Sequence, residues 1–220
     1  MSLKALTALF RLTPVAAQAF SQCKLTDIGG PGAHIAEEGS NPVISGQWAY
    51  AGFAQDSKVV VLAASNHGAT QLPLQTIVDG PGGTSNVRLA AAGDFVYVTW
   101  QQGRRAVNHL WLAYSTQNGK AGTWTAPIDL GEAHHSLQQI FADGNNVHLA
   151  YVATNGHTMA LSSGDHGKTF GAPVDLGDGD GEVVITSHVK NVYVSWEIGR
   201  TSQQPGIGFG YSHDGGKTFT

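Results

Sequence analysis

The feature that most constrains this chain is a turn that occurs twice, as Ser163-Gly164-Asp165-His166-Gly167-Lys168-Thr169-Phe170 and as Ser212-His213-Asp214-Gly215-Gly216-Lys217-Thr218-Phe219. Both copies fit Ser-x-Asp-x-Gly-Lys-Thr-Phe, and each fixed position has a job in a tight turn. Asp165 and Asp214 are placed to accept bonds from their own turn's amides, and Gly167 and Gly216 to take a positive φ. The Ser163, Ser212, Thr169 and Thr218 hydroxyls close further bonds, and Phe170 and Phe219 plug the core beneath. A local device used twice at fixed spacing implies a fold built from similar units.

Two degenerate copies keep the phase. Ser115-Thr116-Gln117-Asn118-Gly119-Lys120-Ala121-Gly122-Thr123-Trp124 is two residues longer, and Ser65-Asn66-His67-Gly68-Ala69-Thr70 has lost the Asp and the aromatic residue. A strand recurs in step with them, ending on an aromatic residue each time: Gly46–Phe53, Gly93–Trp100, Gly144–Tyr151 and Val189–Trp196. The spacings of 47, 51 and 45 residues between those ends suit propeller blades of four short strands. In each unit an apolar run such as Val87–Ala90 or Val183–Ile185 is the innermost strand, and the aromatic-ended strand is the second. The third strands are Val59–Ala64, His109–Tyr114, Met159–Ser162 and Gly206–Tyr211. The fourth strands, Ala126–Gly131 and Ala172–Gly177, carry a proline each, which fits an outer edge.

The turn pattern resembles the Asp-box, or bacterial neuraminidase repeat, of the sialidase-like β-propellers. The expectation is therefore an all-β fold of four-stranded antiparallel blades. About four blades are present, at 42–79, 86–131, 137–177 and 183–220, within a domain 23–220. Leu25–Gly29 reads as a spare outer strand, and Thr220 falls where the fourth strand of the last unit should begin. Because the resemblance implies six blades, a partial propeller is the expected state. A four-bladed ring closed by Leu25–Gly29 and a larger ring completed by a second chain remain open.

Composition narrows the function. Net charge is −4, charged residues are only 13% of the chain, and no Lys/Arg block occurs, so neither nucleic acid nor an anionic membrane is an expected partner. The single Cys23 excludes an internal disulfide framework. No stretch approaches the ~20 apolar residues of a membrane-spanning helix. Residues 1–22 are apolar with an early Lys4 and a small-x-small Ala17-Gln18-Ala19, which reads either as a signal peptide, implying export, or as an N-terminal extension.

Four-stranded blades place the box turns on the rim of the one-two turns, leaving the two-three loops and interblade connections on the opposite rim. The resemblance implies that ligands bind on that opposite rim. Its candidate residues are Arg104 and Arg105, Glu197 and Arg200 on loops, and His134, His135, Asp178, Asp180 and Glu182 in connections. Arginines and carboxylates together suit an anionic or polyhydroxylated sugar. Phe53, Trp100, Tyr151 and Trp196 lie just under that rim and read as core first, sugar platforms second.

A sialidase would need three carboxylate-clamping arginines, a Tyr–Glu nucleophile pair and an acidic Asp. Phe10-Arg11-Leu12-Thr13-Pro14 is one residue longer than the family's arginine motif and precedes the blades, so no catalytic residue is assigned. No metal set is assigned either. Adjacent His134 and His135 chelate poorly in a strand, and Asp178-Gly-Asp180-Gly-Glu182 reads as a glycine-rich turn before a Ca2+ loop. The leading expectation is a noncatalytic exported module that binds glycan or protein through its rim. The alternatives are a fragment of a glycoside hydrolase or other carbohydrate-active enzyme, and a purely structural repeat segment.

Overall fold

The computed structural model describes residues 33–34, 42–80, 83–104, 107–134, 138–199 and 205–220. All regular structure in them is β, in four antiparallel sheets that are the successive blades of a propeller. Blade one contains β1 (Ala33–His34), β2 (Val43–Ser45), β3 (Trp48–Gln55), β4 (Lys58–Ser65), β5 (Thr70–Gln71) and β6 (Gln75–Asp79). Blade two is β7 (Gly83–Ala92), β8 (Phe95–Arg104), β9 (Val107–Ser115) and β10 (Ile128–Ala133). Blade three is β11 (Gln138–Asp143), β12 (Asn146–Val152), β13 (His157–Ser163) and β14 (Val174–Asp178). Blade four is β15 (Val183–His188), β16 (Asn191–Ile198) and β17 (Gly206–Ser212). Blade four has three strands among the described residues, and Thr220 exchanges backbone hydrogen bonds with Tyr211 on the outer edge of β17.

Two details depart from the expected units. The inner edge of blade one is made of two pieces, with β2 opposite Trp48–Tyr50 and β1 opposite Ala54–Gln55, so the blade draws on residues upstream of 42. Pro127 and Pro173 precede β10 and β14 instead of lying in them, so they shape the approach to the outer strand without interrupting its ladder. Residues 1–22 and the spare strand Leu25–Gly29 lie outside the described residues.

The core is three separate layers, one between each pair of blades. Tyr50, Val61 and Ala63 meet Leu89, Val98 and Trp100 in the first. Tyr97, Leu112 and Tyr114 meet Ile140, Leu149 and Leu161 in the second. Ala150 and Val152 meet Ile185, Val194 and Trp196 in the third. Trp100, Tyr151 and Trp196 belong to these layers, and Phe53 is buried on the opposite face of blade one, which makes all four packing residues. Burying such side chains stabilises by about 1.5–3 kcal/mol each, so the blade interfaces carry most of the hydrophobic driving force.

The box turns form as the sequence pattern requires. Ser163 Oγ accepts the Gly167 amide at 2.9 Å and donates to Asp165 Oδ1 at 2.7 Å, while Asp165 accepts the Thr169 amide at 2.9 Å and its hydroxyl at 2.6 Å. Ser212, Asp214, Gly216 and Thr218 repeat this within about 0.1 Å. The Thr169 and Ser163 bonds hold the Asp165 carboxyl down at about 2, and Thr218 and Ser212 depress Asp214 likewise. In the third copy, where Gln117 replaces the aspartate, Thr123 Oγ1 sits 2.6 Å from Ser115 Oγ and closes the loop directly.

Every box turn also bonds to the one-two turn of its own blade: His67 to Gln47 O, Asn118 to Asp94 O, His166 to Asn145 O and Gly215 to Lys190 O. The boxes and one-two turns therefore share a rim, and the two-three loops and interblade connections occupy the other. Each box leans on the preceding blade as well. Gly119 faces Ala63, Gly167 faces Leu112 and Tyr97, and Gly216 faces Ser162 and His148. Phe170 and Phe219 pack on the layers behind their own blades.

Candidate functional site

The rim opposite the boxes is built by blade geometry, and it divides the predicted residues into groups. Between blades three and four, Asp178, Asp180 and Glu182 line the connection, and Glu197 enters from the end of β16. Glu197 Oε2 accepts the Glu182 amide at 3.3 Å, and the Glu197 amide donates to Glu182 O at 3.0 Å. Asp178 lies 3.4 Å from His157 Nε2. The glycines between these acids are needed for contact: a Cβ on Gly179 would strike Thr158 and Trp196, and one on Gly181 would strike Glu197. The Asp-Gly-Asp-Gly-Glu pattern is thus a close crossing over the third core layer. Among the described residues no three His, Cys, Asp or Glu side chains gather to hold a metal ion.

His134 lies between blades two and three, exposed, with its amide on Val152 O and its carbonyl accepting Gln101 Nε2 at 2.9 Å. Arg104 is the last residue of β8. Arg105, His135 and Arg200 lie outside the described residues. The structure thus brings Asp178, Asp180, Glu182 and Glu197 together and sets His134 one blade away.

A buried polar layer under this rim was not predicted. Asn86, at φ 51° in a bulge of β7, donates to Gln101 Oε1 at 3.2 Å, and Gln138 Nε2 donates to Asn86 O at 2.6 Å. Arg88 and Thr99 are buried beside them in the same pair of strands. The available signal was Asn86 and Arg88 interrupting an apolar run, and Gln101 directly following Trp100 in a strand that begins with the apolar Phe95–Val98. Buried amides in such a place must be paired, and here they tie blade two to blade three just below the rim.

The inner strands of the four blades line a half-open cavity of about 440 Å3, with residues such as Ile44, Arg88, Ala90, Gln139, Phe141 and Val184 on its wall. Further out, a basic side chain meets an acid on each of the first three blades. Lys58 lies 3.5 Å from Asp79, His109 2.9 Å from Asp129, and His157 2.8 Å from Asp175. In Asp129-Leu130-Gly131 and Asp175-Leu176-Gly177 the aspartate also accepts the glycine amide two residues on, and Gly131 and Gly177 sit near φ 103° and 102°. The Gly177 amide, then His157, hold the Asp175 carboxyl below the usual range. These pairs are edge-strand fasteners.

No protein-family model matches the chain, and no curated protein matches it. Solved structures do resemble it. A sialidase from Trypanosoma rangeli superposes over 81% of this chain and 36% of its own, with 12% identity and a TM-score of 0.53. A xylan β-1,4-xylosidase from Bacillus halodurans superposes over 88% and 43%, with 13% identity and a TM-score of 0.51. A xyloglucan-locus protein, GH43B of Bacteroides ovatus, superposes over 81% and 39%, with 14% identity and a TM-score of 0.50. This chain spans between 36% and 43% of the length of those three structures. At these identities the likeness is one of fold, and the chain is a run of four blades of the propeller type that those proteins also build.

Proposed function

We propose that the chain is an exported propeller segment that binds glycan through the rim opposite its box turns. The observation that carries this reading is the gathering of Asp178, Asp180, Glu182 and Glu197 over the connection between blades three and four. Carboxylates facing solvent in a concave, glycine-shaped loop suit the paired hydroxyls of a sugar. Two of the fold neighbours named above are a sialidase and a xylan β-1,4-xylosidase by their names, which agrees with that ligand class. Export rests on the Ala17-Gln18-Ala19 pattern. The second reading, a segment of a larger carbohydrate-active enzyme, is favoured by the chain's short span against those neighbours.

A glycan array followed by calorimetry on the intact chain tests the first reading. Glu182→Gln combined with Asp180→Asn should weaken any sugar bound by about ten-fold or more, the factor expected from losing charge-assisted bonds. Asp214→Ala, on the far rim, should leave affinity unchanged in the folded protein. Equal loss in both variants would overturn the placement, and glycosidase turnover by the chain would establish the second reading.

A further inference from the structure

We propose that the outward face of blade four is a docking surface for one further blade of the same repeat, seated with its box turn over Tyr193 and Tyr211. Cross-strand pairing defines equivalent rows in all blades. They are Val43–Tyr50–Ala63, Ala90–Tyr97–Tyr114, Phe141–His148–Ser162 and Thr186–Tyr193–Tyr211. In the first three rows the central residue is buried, with Tyr50, Tyr97 and His148 at 1% exposure or less. In the fourth, Tyr193 is 36% exposed, and Phe209 in the next row is 63% exposed while its blade-two equivalent Leu112 is fully buried.

The sequence of β17 directs these aromatics outward. Gly208 and Gly210 lie against the Trp196 indole, and a Cβ on Gly208 would collide with it, so the strand's bulk falls on Ile207, Phe209 and Tyr211. Tyr193 and Phe209 stack with ring centroids 6.4 Å apart and planes 24° apart. A sheet face left to water would carry polar residues at these alternate positions.

The occupant follows from what covers the same rows elsewhere. Each is covered by the following blade, whose box glycine meets it: Gly119 over Ala63, Gly167 over Tyr97, Gly216 over His148 and Ser162. Tyr50 Oη further donates to Asn118 Oδ1 in the box above it, at 3.0 Å. Tyr193 repeats the Tyr50 position and presents the same hydroxyl. A second copy of this chain has no such turn to offer. Its three boxes with a seated glycine already rest on neighbours, and Gly68 belongs to the turn that lacks both the aspartate and the aromatic residue. The far face of its blade one is also covered, with Phe53, Val60, Leu62 and Ala64 buried.

The test compares tyrosine nitration, read by peptide mass spectrometry, in the 220-residue chain and in a chain lengthened by a second copy of residues 172–220. The copy carries Tyr193→Phe and Tyr211→Phe so that only the original tyrosines report. Tyr193 and Tyr211 should react readily in the natural chain and about ten-fold more slowly in the lengthened one, equivalent to a local opening cost of about 1.4 kcal/mol. Gly216→Val in the copy should restore the reactivity. Unchanged nitration in the lengthened chain would overturn the proposal, as would its failure to unfold cooperatively. Protection already present in the natural chain, with sedimentation as a dimer that Phe209→Lys dissociates, would assign the face to a second copy instead.

Discussion

Val189 stands where the other blades have glycine. The one-two turns of blades one, two and three begin at Gly46, Gly93 and Gly144, each at φ 58°, and blade four places Val189 at φ 60°. A left-handed backbone costs an ordinary L-residue about 1–2 kcal/mol, and a β-branched one is the least suited to it. The turn is held from blade three, where Asp143 Oδ2 accepts the Val189 amide at 2.8 Å and Asn146 Nδ2 donates to its carbonyl at 3.2 Å. The side chain itself is 58% exposed, so removing it forfeits little packing. Val189→Asn should stabilise by about 1 kcal/mol, since Asn tolerates this region without loosening the unfolded chain. Val189→Gly should gain only about 0.5 kcal/mol, because glycine's extra unfolded-state freedom offsets part of the relief. In a chain of this size about 1 kcal/mol moves Tm by roughly 2–4 °C, which calorimetry resolves. Gly144→Val should do the reverse and lower Tm. If both Val189 variants unfolded at lower temperature with unchanged cooperativity, the strain argument would fail.

His148 is fully buried, and burial pushes its imidazole down to about 4, so the folded state holds it neutral. The unfolded chain takes up that proton near pH 6.5, so stability present above pH 6.5 falls as pH drops toward 4, by about 3 kcal/mol at most. Urea titrations from pH 7 to 4 should show this slope, and His148→Gln should flatten it. Tyr97 Oη is buried with no hydrogen-bond partner among the described residues, so Tyr97→Phe should raise stability by about 1 kcal/mol in urea unfolding. Gly215 and Gly216 both have φ 81°, but only Gly216 faces blade three. Gly215→Ala should therefore cost about 1–2 kcal/mol and Gly216→Ala clearly more, with Ser162→Ala recovering part of the difference.

The blades were legible because their signals are local. Ser163, Asp165 and Thr169 bond to one another within one turn, so their spacing alone specified the geometry, and strand alternation around Trp100 or Tyr151 needed no distant partner. What was missed depends on neighbours far along the chain. The two-residue strand at Ala33–His34 is defined only by its pairing with the Ala54–Gln55 end of β3, some twenty residues on. Asn86, Gln101 and Gln138 look like loop residues one by one, and only blade stacking buries them together. The rim charges were legible as a rim and not as a set, since turn signals place a loop without saying which carboxylates take backbone amides, as Glu197 takes that of Glu182.

Because each box turn rests on the blade before it, the array has a direction. During synthesis the sheet of blade two is complete at Ala133, yet its open face must wait for Gly167 and Phe170 to emerge before Tyr97 and Leu112 are sheltered. At ribosomal speeds of about 10 residues per second that interval lasts a few seconds. Every finished blade is thus briefly adhesive, and the newest one always holds the exposed aromatic surface. Chaperone demand in such a protein would travel with the growing end.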